Sequence, residues 1–522
     1  MSRINHKPLS FSTTMRNPER IASFLQVIKD FDGQILDEDL IKKIVSKILK
    51  NKLYKPMYIT RNSNLNNIHK DEDANFSDAQ VEEIILNSPQ KHKEAGFPKG
   101  WPSRFDTWYK LIKEFGFLYY EMDKQIEISK SGYMLCDAYS SEEENSGEKI
   151  QSIFCNALVK YQTNNPFRRN ANDNAPTPLL LNVLKEIKND EEENGAGIYR
   201  KELPFLICWP NNNYIELYNF IKDFRRKWGY RASDEVVYEK CLELLETDNR
   251  KRFKMNQIMV ESVDDLVRKL RITGLFSLRG MGRFIDIDKF ATEKINYIID
   301  TYSEYEVFDT EYSYFKYMGS IDPNIIKSKQ ISISDLDDIR SKALVEFSKK
   351  FNISTVSKEL LNLKNGRDTK DSYLKLIEGP TRLEFLTSIY LVQNYPELLV
   401  KPNYAIDDEG NPTFTARGRV ADILVEDNSL DSTVEVTLMR NRQQSTNEIP
   451  AITRHLLELR NDSDKEEVFS LFIAPNIHED TKYMCQFTKV RNDLDIYYYD
   501  IENFTEKVKN SNSILDLAFD II

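Results

Sequence analysis

Two consecutive apolar runs in the C-terminal part of the chain each carry a carboxylate where a buried strand should be. Val420-Ala421-Asp422-Ile423-Leu424-Val425-Glu426 is strongly β-forming with Asp422 inside it, and Ser432-Thr433-Val434-Glu435-Val436-Thr437-Leu438-Met439 repeats the arrangement around Glu435. A buried ionised carboxylate is costly unless something neutralises it. Thirteen residues separate the two acids, so neighbouring strands can bring them onto one divalent cation. The alternative is that both are salt-bridged or exposed at strand ends. Mg2+ suits such a pair: it takes one or two carboxylates and completes its octahedron with waters and carbonyls. It also acidifies a bound water and stabilises charge on a phosphate.

The flanking pattern extends this core. A helix over 381–394 with an apolar stripe (Leu383, Phe385, Leu386, Ile389, Tyr390) carries Glu384, Asp407–Pro412 forms a turn, and a short strand lies near Phe414. The two acid-bearing strands follow, then a helix over 447–460 containing Glu448, then the nearly all-apolar run Val468–Pro475. The order is α, β-β-β, α, β. His455 is read as a packed helix residue in preference to a phosphate or water contact. Arg417 and Arg419 precede the Asp422 strand and Arg440 and Arg442 follow the Glu435 strand; all four would suit the phosphates of a polyanion, the alternative being surface salt bridges.

Charge is unevenly distributed. The net charge is -11, and residues 380–522 hold 14 basic and 25 acidic residues, so the other 379 residues balance at 58 of each. Within that neutral part three basic clusters fall inside 62 residues: Lys222, Arg225, Arg226, Lys227 and Arg231 around Trp228 and Tyr230; Arg250 to Lys254; and Arg268, Lys269, Arg271, Arg279 and Arg283. A single cluster is as readily a solvated helix face. Three together point to a polyanion, with Arg225, Arg226, Lys227, Arg268, Arg271, Arg279 and Arg283 as candidate phosphate contacts.

The N-terminal half is mainly helical. A helix is expected over 18–31, a mobile Asn-rich loop over 61–75, and acidic loops over 139–148 and 190–197. A helix from Phe105 reaches Gly116, two strands flank Met122-Asp123-Lys124, and a helix begins after Ser129. This order of helix, Gly, hairpin, helix is that of a winged helix. It recurs at 262–290, with strands around Arg279-Gly280-Met281-Gly282 and helices expected at 179–188, 198–209 and 213–227. Four regions result: 1–170 and 171–300 as winged-helix-like recognition units, 301–375 as a helical connector, and 376–522 as the acidic domain. The fold class is multidomain α+β, with a C-terminal α/β domain built on a mixed sheet.

Several chemistries are excluded. The five cysteines include no C-x-x-C pair and the five histidines no H-E-x-x-H, which rules out a zinc ribbon, a disulfide framework or a zinc protease and favours a reducing cytoplasm. No apolar run is long enough to span a membrane. Gly280-Met281-Gly282 lacks the third glycine of a nucleotide loop. Paired carboxylates also serve glycosidases, but these lie on core strands among basic residues.

The run Ala421-Asp422, Glu435-Val436-Thr437, Glu448, Thr453-Arg454-His455 and Leu471-Phe472-Ile473-Ala474-Pro475 resembles the PD-(D/E)XK nuclease domain of the AlwI-like type IIS restriction endonucleases and related nicking endonucleases. Phe11-Ser12-Thr13-Thr14-Met15-Arg16-Asn17-Pro18-Glu19-Arg20-Ile21 is similar to that family's N-terminal signature. The resemblance implies an acidic catalytic set at Glu384, Asp422, Glu435 and Glu448, spaced 38, 13 and 13, with Asp422, Glu435 and Glu448 on the metal. Ala421 stands where the superfamily often has Pro, and Thr437 where it often has Lys. Glu448 is the candidate for positioning the attacking water. The implied activity is Mg2+-dependent hydrolysis of a phosphodiester a few base pairs outside a short asymmetric site in double-stranded DNA. A second copy or partner subunit would be needed for double-strand cutting, and a methyltransferase would protect host DNA. The rivals are a DNA-binding protein whose nuclease domain is inactive and a repair or structure-specific nuclease.

Overall fold

The computed structural model describes residues 5–11, 15, 17–71, 73–140, 146–192, 197–327, 333–416 and 420–518. Parts of the N-terminal signature (12–14 and 16), of both acidic loops (141–145 and 193–196), and Arg417 and Arg419 lie outside the described residues. The chain divides into two units: residues 1–70, 74–141 and 148–329 form the first, and 71–73, 142–147 and 330–522 the second.

In the first unit the expected N-terminal helix is Pro18–Lys29. The segment expected as a mobile loop instead contains the helix Ser63–Lys70, started by Asn62 Oδ1 accepting from Leu65 N–H at 3.2 Å and anchored by the buried Leu65. Its asparagines conceal a cap and a one-sided anchor. The helix Trp101–Glu114 ends at Gly116 (φ +73°). Then β1 (Leu118–Tyr119) and β2 (Glu127–Ile128) pair antiparallel, and the helix Lys130–Ser140 follows. A bridge from Ile35 to Gln125 lays an earlier segment against this hairpin.

The second occurrence has the same order. β3 (Ile198–Tyr199) starts the segment expected to be helical over 198–209, because Ile198 and Tyr199 pair with Ile285 and Phe284; the helix itself is Leu203–Cys208. After the helix Ser262–Ile272, β4 (Phe276–Arg279) and β5 (Phe284–Ile287) form a hairpin, and the sheet runs β3-β5-β4.

The stretch read as a connector is shared between the units. Glu311–Gly319 buries Tyr314, Phe315 and Met318 in the first. A Cβ on Gly116 would lie 2.6 Å from Gly319 N and one on Gly319 2.8 Å from Gly116 O, so only glycine permits this approach. Helices Ile333–Lys350 and Ile353–Lys364 belong to the second unit, where Phe347 and Phe351 meet the Phe385 ring at 5.1 and 6.2 Å.

The helix Gly379–Asn394 is buried at every position from Thr381 to Leu391, not on one stripe as its pattern suggested, because helices cover one side and the strands the other. The strands that follow are β6 (Leu399–Pro402), the hairpin β7 (Tyr404–Ile406) and β8 (Pro412–Ala416), then β9 (Ile423–Glu426), β10 (Leu430–Val436), β11 (Glu467–Ala474) and β12 (Ile496–Asp500). The sheet order is β12-β11-β10-β9-β6, with β10, β11 and β12 parallel and β9 antiparallel to both neighbours. This is the expected mixed sheet. Parallel neighbours require crossovers, supplied by the helices Ile449–Asp462 and Glu479–Asn492. Ile449, Ile452 and Leu456 of the first and Cys485 of the second close a core with Phe472, Ala474 and Ile496.

Candidate active site

The β9/β10 register explains the thirteen-residue interval between the acids. Val434 pairs with Ile423, so the next opposed positions of this antiparallel pair are Glu435 and Asp422, whose side chains share a face. Two backbone donors fix them: Val436 N–H gives to Asp422 Oδ2 at 2.8 Å, and Asp422 N–H gives to Glu435 Oε2 at 3.3 Å. Asp422 thus stands just before β9, where sequence placed it inside a strand, while Glu435 lies within β10.

Glu384 enters from the buried helix Gly379–Asn394, and its Oε2 accepts from Ala416 N–H at 3.0 Å. Glu448 closes a π-helical turn, Gln444–Glu448, that feeds the helix Ile449–Asp462. Seven residues on, two helical turns bring His455 to the same face, and His455 Nδ1 lies 2.9 Å from Glu435 Oε1. A carboxylate only accepts, so Nδ1 carries the proton, and among the described residues the buried Nε2 has no hydrogen-bond partner. The sequence reading preferred packing for His455 over a phosphate or water contact and did not name Glu435 as its partner. Its seven-residue distance from Glu448 was the available signal.

The electrostatics are those of crowded negative charge. Burial raises Asp422 well above the ordinary carboxylate range, the Glu384 and Glu435 carboxylates raise it further, and Glu448 adds to this against the opposing pull of Val436 N–H. Burial likewise raises Glu384, with repulsion from Glu435 acting the same way and the Ala416 hydrogen bond opposing. Thr437, two residues beyond Glu435, brings no positive charge; its hydroxyl accepts from Met439 N–H at 3.2 Å. Among the described residues no three His, Cys, Asp or Glu side chains form a ready metal cage. The opposed Asp422–Glu435 pair nevertheless fits Mg2+, which commonly uses one or two carboxylates and leaves its other positions to water and phosphate oxygens.

The candidate phosphate-binding cations separate on inspection. Arg225 is buried and forks onto Glu202 at 2.9 and 2.7 Å, with Gly197 O also at 2.9 Å. Arg279 reaches Asp286 at 3.3 Å and Ile287 O at 3.2 Å, and Arg271 is buried. These three are engaged or buried within the first unit, in contrast to the exposed candidates. Arg226 pairs with Glu192 at 2.9 Å, and half-buried Arg268 reaches Asn17 at 3.4 Å. Lys227 and Arg283 are exposed. In the second unit Arg440 donates to Lys364 O and Arg442 pairs with Asp480 at 3.0 Å.

No helix among the described residues is long and apolar enough to cross a membrane. No curated protein matches the chain. Among solved structures it is similar to the small subunit of the heterodimeric restriction endonuclease R.BspD6I, at 22% identity over 30% of this chain and 77% of that one, with a TM-score of 0.25. It is also similar to restriction endonuclease FokI, at 12% identity over 98% and 97% of the two chains (TM-score 0.26), and to FokI bound to DNA, at 11% over 99% and 98% (TM-score 0.25). The AlwI restriction endonuclease family matches residues 113–377 and 320–506. These spans take in most of the chain, including all four acids, so the protein belongs to the AlwI restriction endonuclease family and is a DNA nuclease.

Proposed function

We propose that the protein is a type IIS-like restriction endonuclease, or a strand-nicking relative, that reads a short asymmetric duplex site with its N-terminal half and hydrolyses a phosphodiester a few base pairs away. The observation that carries this reading is the opposed Asp422–Glu435 pair, crowded by Glu384 and Glu448 at one end of the sheet. Asp422 and Glu435 would hold Mg2+ as the opposed pair, with Glu448 beside them as the third acid that the resemblance implies, and the ion when bound would acidify water and stabilise charge on the phosphate. Glu448, on a turn of its own, positions the attacking water. His455 keeps Glu435 oriented through Nδ1. The order of helix and hairpin, which occurs twice and is met by an upstream bridge at Ile35 in the first case and an upstream strand in the second, supports two winged-helix-like recognition units. A methyltransferase acting on the same site would be the functional counterpart.

The test is cleavage of plasmid DNA in Mg2+, with run-off sequencing of the ends. Asp422→Asn and Glu435→Gln are each expected to abolish cutting while leaving duplex binding in Ca2+ nearly intact. Cutting by either variant removes that residue from the assignment. Thr437 motivates a second reading, an inactive DNA-binding protein, and wild type that binds but never cuts in Mg2+ would select it. Fragments lacking one discrete sequence-defined end would favour a structure-specific nuclease.

A further inference from the structure

Three exposed cations of the first unit, Lys227, Arg231 and Arg283, stand beside its exposed aromatic side chains Trp228 and Tyr230. From Phe224 to Ser233 the chain carries Arg225, Arg226, Lys227 and Arg231 and no acid. Arg225 and Arg226 are committed to Glu202 and Glu192. Lys227 and Arg231 are exposed, as is Arg283 in the β4–β5 turn, and among the described residues no carboxylate lies within ion-pair distance of these three.

Ring packing joins the two segments. Tyr230 meets Phe284 at 5.5 Å and Tyr199 at 5.5 Å, Tyr199 meets Phe284 at 5.2 Å, and the Arg225 guanidinium lies 5.4 Å from the Tyr230 ring. The turn after the helix Tyr214–Trp228 is thereby fastened onto the sheet that carries Arg283. Trp228 is 41% exposed and Tyr230 45%, whereas Trp108 and Trp209 are buried. Exposed aromatic surface rimmed by unopposed cations marks an interaction site, and its charge suits a polyanion.

We propose that residues 227–231 and the β4–β5 turn grip the DNA backbone. Lys227, Arg231 and Arg283 neutralise phosphates, and Trp228 packs against the sugar edge between them. The inference rests on the reading above that the chain binds duplex DNA.

The test uses the full chain in Ca2+ and a short random-sequence duplex, so that backbone contacts are read without cutting. Each phosphate contact on B-DNA contributes about 0.9 to the slope of log affinity against log salt. The triple variant Lys227→Ala, Arg231→Ala, Arg283→Ala is expected to lower that slope by about 2–3, whereas Arg226→Ala changes it little. Acrylamide should quench Trp228 in the free protein and reach it less in the complex, and Trp228→Phe should remove this protectable component. An unchanged slope in the triple variant, or a Trp228 equally quenched with and without DNA, overturns the proposal while leaving the nuclease reading standing. If wild type shows no salt-dependent duplex binding, the DNA-binding reading fails first and takes this surface with it.

Discussion

Replacing Glu384 by Gln should stabilise the metal-free protein while removing its cleavage activity. Glu384 is 3% exposed, and burial together with the Glu435 carboxylate raises its carboxyl well above the ordinary value of 4.5. At an effective dielectric constant near 20, two unit charges about 4 Å apart repel by roughly 4 kcal/mol, and by less at longer range. Partial protonation reduces what is recovered, so a gain of about 1–3 kcal/mol is expected at neutral pH. Gln keeps the acceptor for Ala416 N–H and offers its amide protons to the neighbouring carboxylates. For a unit of this size the melting temperature rises by about 2–4 °C per kcal/mol.

The pH dependence fixes the cause. A carboxyl whose folded pKa is raised is protonated in both states below its unfolded value, and costs stability increasingly as pH climbs above that value. Calorimetry in EDTA should therefore show wild type and Glu384→Gln melting alike below about pH 4.5, with the variant's advantage opening toward neutrality. Mg2+ should then stabilise wild type more than the variant, because the cation offsets a repulsion the variant lacks. A variant no more stable than wild type at pH 7, or an advantage that does not change with pH, would refute the crowded-carboxylate account of this site.

His455→Ala should slow cleavage by about 10–100-fold, the usual cost of losing a partner that orients a ligand, with duplex binding in Ca2+ unchanged; unaltered turnover would return His455 to a packing role. Arg225→Ala strands the buried Glu202 and should destabilise the first unit by about 3–5 kcal/mol in urea melts, whereas loss of DNA affinity without loss of stability would show that the pair is not structural. A fragment ending at residue 327 should unfold cooperatively, whereas one ending at 300 should not, since it discards the buried Tyr314, Phe315 and Met318 at about 1.5–3 kcal/mol each; equal melts would put the boundary earlier. One acidic cluster supplies one hydrolytic centre, so at low enzyme concentration a one-site plasmid should pass through an open circle before linearising, and direct linearisation at every concentration would contradict this.

What could be read from the sequence depended on whether the partners of a residue were close along the chain. Asp422 and Glu435 were legible because an antiparallel pair folds a short interval back on itself, and the β9/β10 register sets them opposite one another. Their helical companions Glu384 and Glu448 came from the family resemblance, since nothing local says which face of a helix meets a distant sheet. The same limit kept the partner of His455 out of view, since Glu435 lies across the fold on β10, and left the partners of the basic clusters unread. A run of arginines looks free until Glu202 and Asp286 are brought against Arg225 and Arg279. Clustering along the sequence is therefore weak evidence for a phosphate contact, because a buried guanidinium needs an acid that the fold can supply from anywhere. Exposure after folding is the stronger criterion, and it moves attention from Arg225, Arg271 and Arg279 to Lys227, Arg231 and Arg283, where neighbouring aromatic rings also stand uncovered.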